Sequence, residues 1–249
     1  MRSLLLFVVL SLFPQTSALS SERSHRFFVL RHGETDANAA GVIQGSSDFS
    51  RLTDKGRQQA LDAGKVVWSL IGPADTIYVS PLVRARDTLS LIQEQSIAAS
   101  KSLPEASVWH DLRELDLHEW EGKDKKHLQM NDPAAYQHWK EGNAFDFEVS
   151  GCKPLVDVWD RAASVWERLR RENPNNSSTL LVCHGTFGQA LLNTALGRDA
   201  SHFRDIIIPN CGLMEIEWPV NSPTATTWRW HHPEPSERWT LSEWEARCP

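Results

Sequence analysis

Positive charge is in deficit in this chain: 26 Lys and Arg stand against 32 Asp and Glu, for a formal net charge of −6 and a pI near 5.9. A nucleic-acid backbone demands a basic footprint, so that partner class is not expected, and any phosphate site has to be a local cluster of cations. Long apolar stretches are lacking as well. The run from Leu4 to Phe13 is ten residues, against the roughly 20 that a bilayer-spanning helix needs. Cysteine is sparse, with four residues (Cys152, Cys183, Cys211, Cys248) at no metal-like spacing. His110, His127 and the pair His231-His232 lack the spacing that gathers ligands on one face, so neither a metal nor another cofactor is expected. No internal repeat or long low-complexity run is present. What remains, 41% hydrophobic and 23% charged over 249 residues, can bury one substantial core and suits a single α/β domain, with two small domains as the alternative.

The first 18 residues read differently from the rest. Arg2, the apolar run, Pro14 and the small residues Thr16-Ser17-Ala18 form a secretory signal pattern with cleavage expected after Ala18. That leaves residues 19–249 as the mature domain, in the secretory pathway or outside the cell, with no stable membrane association. An uncleaved anchor and a bipartite plastid leader are the alternatives. The overlapping glycosylation sequons in Asn175-Asn176-Ser177-Ser178 agree mildly with a secretory route. One or two disulfides are permitted, and Cys183, inside an apolar run, is expected as a buried thiol.

Hydrophobic periodicity predicts an alternation of strands and helices. Phe27 to Leu30 reads as a buried parallel strand, and Thr53 as the N-cap of a helix carrying Leu61, Val66, Val67 and Leu70 and stopped by Gly72-Pro73. Thr76 to Val79 is a second strand; Pro81 starts a helix to about Gln95; Val108 to Leu112 is a third strand or extended segment. Residues 116–153 break the rhythm and read as an inserted lid with one or two short helices. A helix over 155–171, a strand over Thr179 to Cys183 and a helix from Thr186 to Leu196 follow. Leu213 to Trp218 alternates like an edge strand, with Thr226 to Trp230 as its partner. Five of the 11 Trp lie between Trp218 and Trp244, where they are expected to cover the core. The fold class is α/β: three layers, a mostly parallel central sheet, helices on both faces, and ligands beyond the carboxyl ends of the strands.

Those strand ends carry the polar residues of interest. The first opens into Arg31-His32-Gly33-Glu34-Thr35, with Asn38 and Gln44-Gly45 downstream. A loop entering a helix exposes backbone N–H groups to an anion, although an Arg-His-Gly tripeptide by itself also fits a solvated turn. Arg84 falls in the first turn of the helix after the second strand, where the helix dipole disfavours a cation unless an anion is near; pairing with Asp87 is the bland alternative. The third segment delivers Glu114 and the fourth strand His184-Gly185. Four strand ends thus bring Arg31, His32, Arg84, Glu114 and His184 to one edge of one sheet.

Over about residues 26 to 218 these motifs, together with Leu52-Thr53, Gly56, Ala60, Ser80 through Thr88 and Trp120-Glu121-Gly122, resemble the histidine phosphatase superfamily in its phosphoglycerate mutase-like branch. The resemblance implies that His32 accepts the phosphoryl group, that Arg31, Arg84 and His184 form the phosphate pocket with Asn38, and that Glu114 donates the proton. It also assigns substrate contacts to Thr35, Gln44, Gly45, Gly185 and Thr186. The chemistry then needs no metal, because two guanidiniums can neutralise the transferred phosphoryl group. His32 must attack through an unprotonated ring nitrogen while an acceptor, expected to be a backbone carbonyl, holds the opposite N–H.

Gln44-Gly45, in place of the Gly-Trp pair usual in mutases, and the direct passage from Glu114 to Trp120-Glu121-Gly122 favour a phosphatase acting on a small phosphorylated metabolite. A phosphoglycerate mutase and a non-catalytic phospho-ligand binding protein are the rivals. Two departures stand out: His118 where relatives commonly have Gly, implying a different path for the Glu114 loop or an added phosphate donor, and Ala37 where many carry Trp, implying a roomier pocket mouth. The lid cluster Lys123, Lys125, Lys126, His127 fits either a second anionic subsite or an ordinary solvated turn. Oligomeric state is not legible.

Overall fold

A computed structural model describes residues 23–71, 75–98, 104–173, 177–231 and 238–240. The leader, Gly72-Pro73, the sequon asparagines and Cys248 lie outside the described residues. The chain runs β1 (Ser24–Arg31), α1 (Asp36–Ala40), α2 (Asp54–Ile71), β2 (Thr76–Val79), α3 (Val83–Ala98), β3 (Ala106–Val108), α4 (Lys125–Asn131), α5 (Pro133–Glu141), α6 (Pro154–Glu172), β4 (Ser178–Cys183), α7 (Gly185–Ala195), β5 (Leu213–Pro219), β6 (Thr227–Trp230) and β7 (Arg238–Thr240).

The strands form one sheet in the order β3-β2-β4-β1-β5-β6-β7. From β3 to β1 every pairing is parallel, and from β1 onward every pairing is antiparallel. The four-residue run at 27–30 is apolar throughout because β1 is central and covered on both faces. Phe27 and Val29 pack with α6 and α7, and Phe28 and Leu30 with α2 and α3. In β4, Leu181 and Cys183 take the first face while Leu180 and Val182 take the second. Period-two alternation in two adjacent strands thus builds a three-layer core with helices on both sides.

Several boundaries differ from the sequence reading. β5 is an interior strand, not an edge, since β6 pairs along its outer side. Alternation reports which face is covered and says nothing of hydrogen-bonding neighbours. The third strand ends at Val108. Trp109 still donates to the Val79 carbonyl, and a 3-10 turn over His110–Leu112 then buries Leu112. α3 begins at Val83, two residues past Pro81, and reaches Ala98. The Thr53 hydroxyl accepts from the Gly56 N–H at 3.0 Å, which caps α2 at the expected place.

Between residues 116 and 153 lie α4, α5 and a 3-10 turn at His118–Trp120. This segment has its own aromatic knot: the buried Trp120 sits 5.2 Å from Phe147 and 6.2 Å from Trp139, ring centre to ring centre. Cys152, Cys183 and Cys211 are free thiols, and burial raises the Cys183 thiol well above its ordinary range.

Candidate active site

His32 follows the last residue of β1, and His184 follows the last residue of β4 and caps α7. Because β1 and β4 are parallel neighbours in register, with Arg31 opposite Cys183, the two histidines emerge side by side. Their ring centres are 5.2 Å apart. Nδ1 of His32 lies 2.7 Å from the Gly33 carbonyl. A carbonyl can only accept, so Nδ1 carries the proton and Nε2 keeps its lone pair. Burial, then the positive charges of Arg84 and Arg31, push the His32 imidazole well below its ordinary range; burial and Arg84 do the same to His184.

The two guanidiniums are held from behind. Arg31 donates to the Ile208 carbonyl at 2.6 Å, and Arg84 donates to the Ser47 and Gly45 carbonyls at 2.8 Å each. Asp87 is not the partner of Arg84, contrary to the bland alternative. Burial pulls Arg84 down to about 10, which still leaves it charged near neutrality. Nε of Arg31, Nε of Arg84 and Nδ1 of His184 are buried with no hydrogen-bond partner. These are nitrogens of the three side chains that flank His32, and buried nitrogens of this kind ordinarily find an acceptor. His184 reaches Ser80 Oγ through Nε2 at 2.7 Å.

Glu114 approaches from the loop after the 3-10 turn. Its Oε2 accepts from the Thr186 N–H at 3.0 Å and its Oε1 from the Phe187 N–H at 2.9 Å and the Leu115 N–H at 3.1 Å. The carboxylate thus sits on the first N–H groups of α7, where the helix dipole favours negative charge.

A cavity of about 90 Å³ is lined by Arg31, His32, Asn38, Gln44, Gly45, Arg84, Glu114 and Thr186 among others. Thr35, His184 and Gly185 do not line it. The Thr35 hydroxyl instead donates to Gln44 Oε1 and accepts from the Asn38 N–H in a capping box on α1. Gly185 leaves room for the Arg31 guanidinium, which a Cβ there would meet at 3.3 Å.

The family model described as histidine phosphatase superfamily (branch 1) matches residues 27–231. The chain belongs to that superfamily. It is 36% identical over 194 residues to the 2-carboxy-D-arabinitol-1-phosphatase of Triticum aestivum, an alignment that covers 78% of this chain and 37% of the wheat protein. The chain therefore spans little more than a third of that relative's length. It is 30% identical over 201 residues to the protein named probable phosphoglycerate mutase GpmB of Salmonella paratyphi C, with 81% and 88% of the two chains covered. Among solved structures, a mycobacterial glucosyl-3-phosphoglycerate phosphatase superposes with a TM-score of 0.70 at 27% identity, over 84% of this chain and 97% of that one.

Within this superfamily member the loop that carries Gln44 and Gly45 is organised by Glu121. Its carboxylate accepts from the Ser46 and Leu117 N–H groups at 2.7 and 3.0 Å, and also from the Ser47 hydroxyl. Gly45 has φ +52°, and a Cβ there would run into Glu121. His118 has φ +48°, the left-handed region that favours glycine, which accounts for the departure noted in the sequence. Its ring pairs with Asp116 at 3.3 Å and does not line the cavity, so it supplies no phosphate donor.

Four further residues of the site escape motif reading. Lys125 of α4 lines the cavity, and burial followed by Arg31 and Arg204 lowers its ammonium from the ordinary value. The solvated-turn reading therefore does not apply to Lys125. Arg204 donates to the Trp139 carbonyl and to Gln189, and Asn210 bridges the His32 carbonyl and Asn38 Oδ1. Arg161 of α6 donates to the Asp111, Arg113 and Glu114 carbonyls. Only the Lys125 cluster and the turn-like Pro209-Asn210-Cys211-Gly212 carried any signal in the sequence. A larger cavity of about 420 Å³ lies between α2 and the start of β5, lined by Asp62, Lys65, Cys211 and His231 among others, and carries none of the phosphate-pocket side chains.

Proposed function

We propose that this chain is a phosphomonoesterase of small phosphorylated metabolites that works through a phosphohistidine at His32 and without a resident metal. The observation that carries the reading is the state of His32: a buried imidazole with Nδ1–H spent on the Gly33 carbonyl, Nε2 left nucleophilic, and two guanidiniums beside it in one small cavity. The Nε2 lone pair attacks phosphorus in line, the ester P–O bond breaks, and the leaving oxygen takes the proton of Glu114. Water then attacks the phosphohistidine, Glu114 accepts the water's proton, the P–N bond breaks, and Nε2 regains its lone pair with inorganic phosphate released. Arg31 and Arg84 neutralise the equatorial oxygens throughout, and His184 supplies a further donor. Asn38, Gln44, Gly45 and Thr186, along the cavity wall, contact the phosphate or the substrate's body.

The substrate class follows from the lid. Lys125 is half-buried among cations, so the metabolite carries a second anionic group opposite its phosphate. The wheat and mycobacterial relatives are named for phosphate esters that also bear a carboxylate, which supports the reading. The similarity to a protein named as a mutase keeps phosphoryl transfer between hydroxyls as the second reading.

The test is a panel of phosphomonoesters, including carboxylated sugar phosphates and phosphoglycerates, with free phosphate and isomerised ester measured together. Free phosphate with no isomer is expected, with an acid-labile label on the wild-type chain that His32→Ala abolishes. His32→Ala is also expected to lower turnover by at least ~10³-fold. Isomer in excess of phosphate establishes the mutase reading, and turnover persisting in His32→Ala refutes both.

A further inference from the structure

Glu114 is the only proposed reactive group that no strand end holds directly; it stands on the irregular loop after the 3-10 turn. Its placement depends on what pins that loop. Arg161, one turn and a half into α6, reaches across with one nitrogen to the carbonyls of Asp111 and Arg113, at 3.2 and 2.6 Å, and with the other to the carbonyl of Glu114 itself, at 3.2 Å. The flat guanidinium lies 4.8 Å above the ring of Phe187. Phe187 is the residue whose N–H holds Glu114 Oε1. One side chain therefore touches both the main chain that carries the acid and the residue that receives its carboxylate.

The choice of partner atoms matters. A guanidinium paired directly with the Glu114 carboxylate would hold it ionised and unfit to deliver a proton. Arg161 takes the main-chain carbonyl of that residue, so it fixes the position of the acid while its side chain stays on the α7 N–H groups. An ammonium on a flexible stem cannot make the same fork of bonds to consecutive carbonyls while lying flat on a ring.

From this geometry we infer that Arg161 is a positioning residue for proton transfer: it sets the approach of Glu114 to the leaving oxygen. The inference rests on the reading of Glu114 as the proton donor and goes further by assigning what aims it. Loss of the clamp lets the loop shift, and a displacement near 1 Å at a reacting group costs on the order of 10²-fold in rate. That cost falls only on substrates whose leaving group needs a proton.

The experiment measures single-turnover phosphorylation of the whole chain with two probes: glycerol phosphate, whose alkoxide must be protonated, and dinitrophenyl phosphate, whose leaving group departs as a stable anion. Arg161→Met keeps the apolar stem over Phe187 and removes the donors. It is expected to slow the glycerol phosphate reaction by roughly 10- to 100-fold and the dinitrophenyl reaction by less than about 3-fold. Glu114→Gln should give the same selective pattern at larger amplitude, and Arg161→Lys the same pattern at smaller amplitude. Arg161→Lys is the variant to score should Arg161→Met not fold. Equal losses on both probes, or no loss on either, overturn the inference about Arg161 provided Glu114→Gln is selective. A Glu114→Gln variant that does not distinguish the probes overturns instead the assignment of the acid.

Discussion

Lowering the pH from about 7.5 to about 5.5 is expected to destabilise the fold through its two central histidines. His32 and His184 are 3% and 0% exposed, and burial with the cations beside them keeps both imidazoles neutral well below the ordinary value of 6.5. In the unfolded chain each titrates near 6.5. The unfolded state therefore takes up protons that the folded state refuses, so stability is intact above about 6.5 and is lost as the pH falls below it. For a group that stays neutral when folded, this two-unit step raises protonation of the unfolded chain from about 9% to about 91%. The corresponding loss is about 1.4 kcal/mol per histidine, or about 2.7 kcal/mol for the pair.

Urea unfolding at the two pH values reads this directly, in the wild type and in the His32→Asn/His184→Asn double variant. The variant is expected to be less stable at both pH values, since it perturbs packed and hydrogen-bonded positions. Its loss between them should nevertheless be smaller than the wild type's by about 2.7 kcal/mol. Equal losses in the two proteins would show that the imidazoles accept protons in the folded state and would refute the argument from burial. Inorganic phosphate supplies a sharper control. An anion between Arg31 and Arg84 offsets the cations that hold the imidazoles neutral, so millimolar phosphate should flatten the wild-type pH dependence and leave the variant's nearly unchanged.

Two further outcomes follow from the cavity wall. Lys125→Met should lower kcat/KM by roughly 10- to 100-fold for esters that carry a second carboxylate or phosphate, and by less than about 2-fold for phenyl phosphate, because only the former present an anion to the ammonium; equal effects on both classes would contradict a second anionic subsite. Gly45→Ala places a side chain at φ +52° against Glu121, at a cost of about 1–2 kcal/mol; since the Gly45 carbonyl holds Arg84, the inhibition constant of inorganic phosphate should rise about 10-fold, and an unchanged constant would show that this loop does not set the position of Arg84.

The layered fold was legible because each core element carries its own period. The stripe Leu155, Val158, Ala162, Val165, Trp166, Leu169 of α6 and the unbroken run at 27–30 state their burial without reference to neighbours. The position of β5 was not legible as interior, because edge and interior strands share one alternation when one face is covered. The five residues at strand ends were readable for a related reason: a parallel strand delivers its next residue to the carboxyl edge whatever the rest of the chain does. Thr35 shows the limit of that logic, since a hydroxyl beside the nucleophile was assigned to substrate and instead caps α1 and holds Gln44.

Residues that reach the site from helix flanks had no such rule. Arg161 and Arg204 occupy positions that local pattern assigns to solvent, and they become part of the site only because α6 and the chain before β5 fold over the loop that bears Glu114. Lys125 shows what distinguishes the two kinds of illegibility. An ammonium pays in stability for being drawn from water toward Arg31 and Arg204, and a solvated turn gives no reason to keep it there. Its position is intelligible once a negatively charged substrate group is added, because the same desolvation that weakens the lone cation strengthens its attraction to an anion. Reaction type is thus written at the strand ends, where backbone direction alone places the groups, whereas substrate choice is written in the lid, where placement depends on how two short helices dock over the sheet.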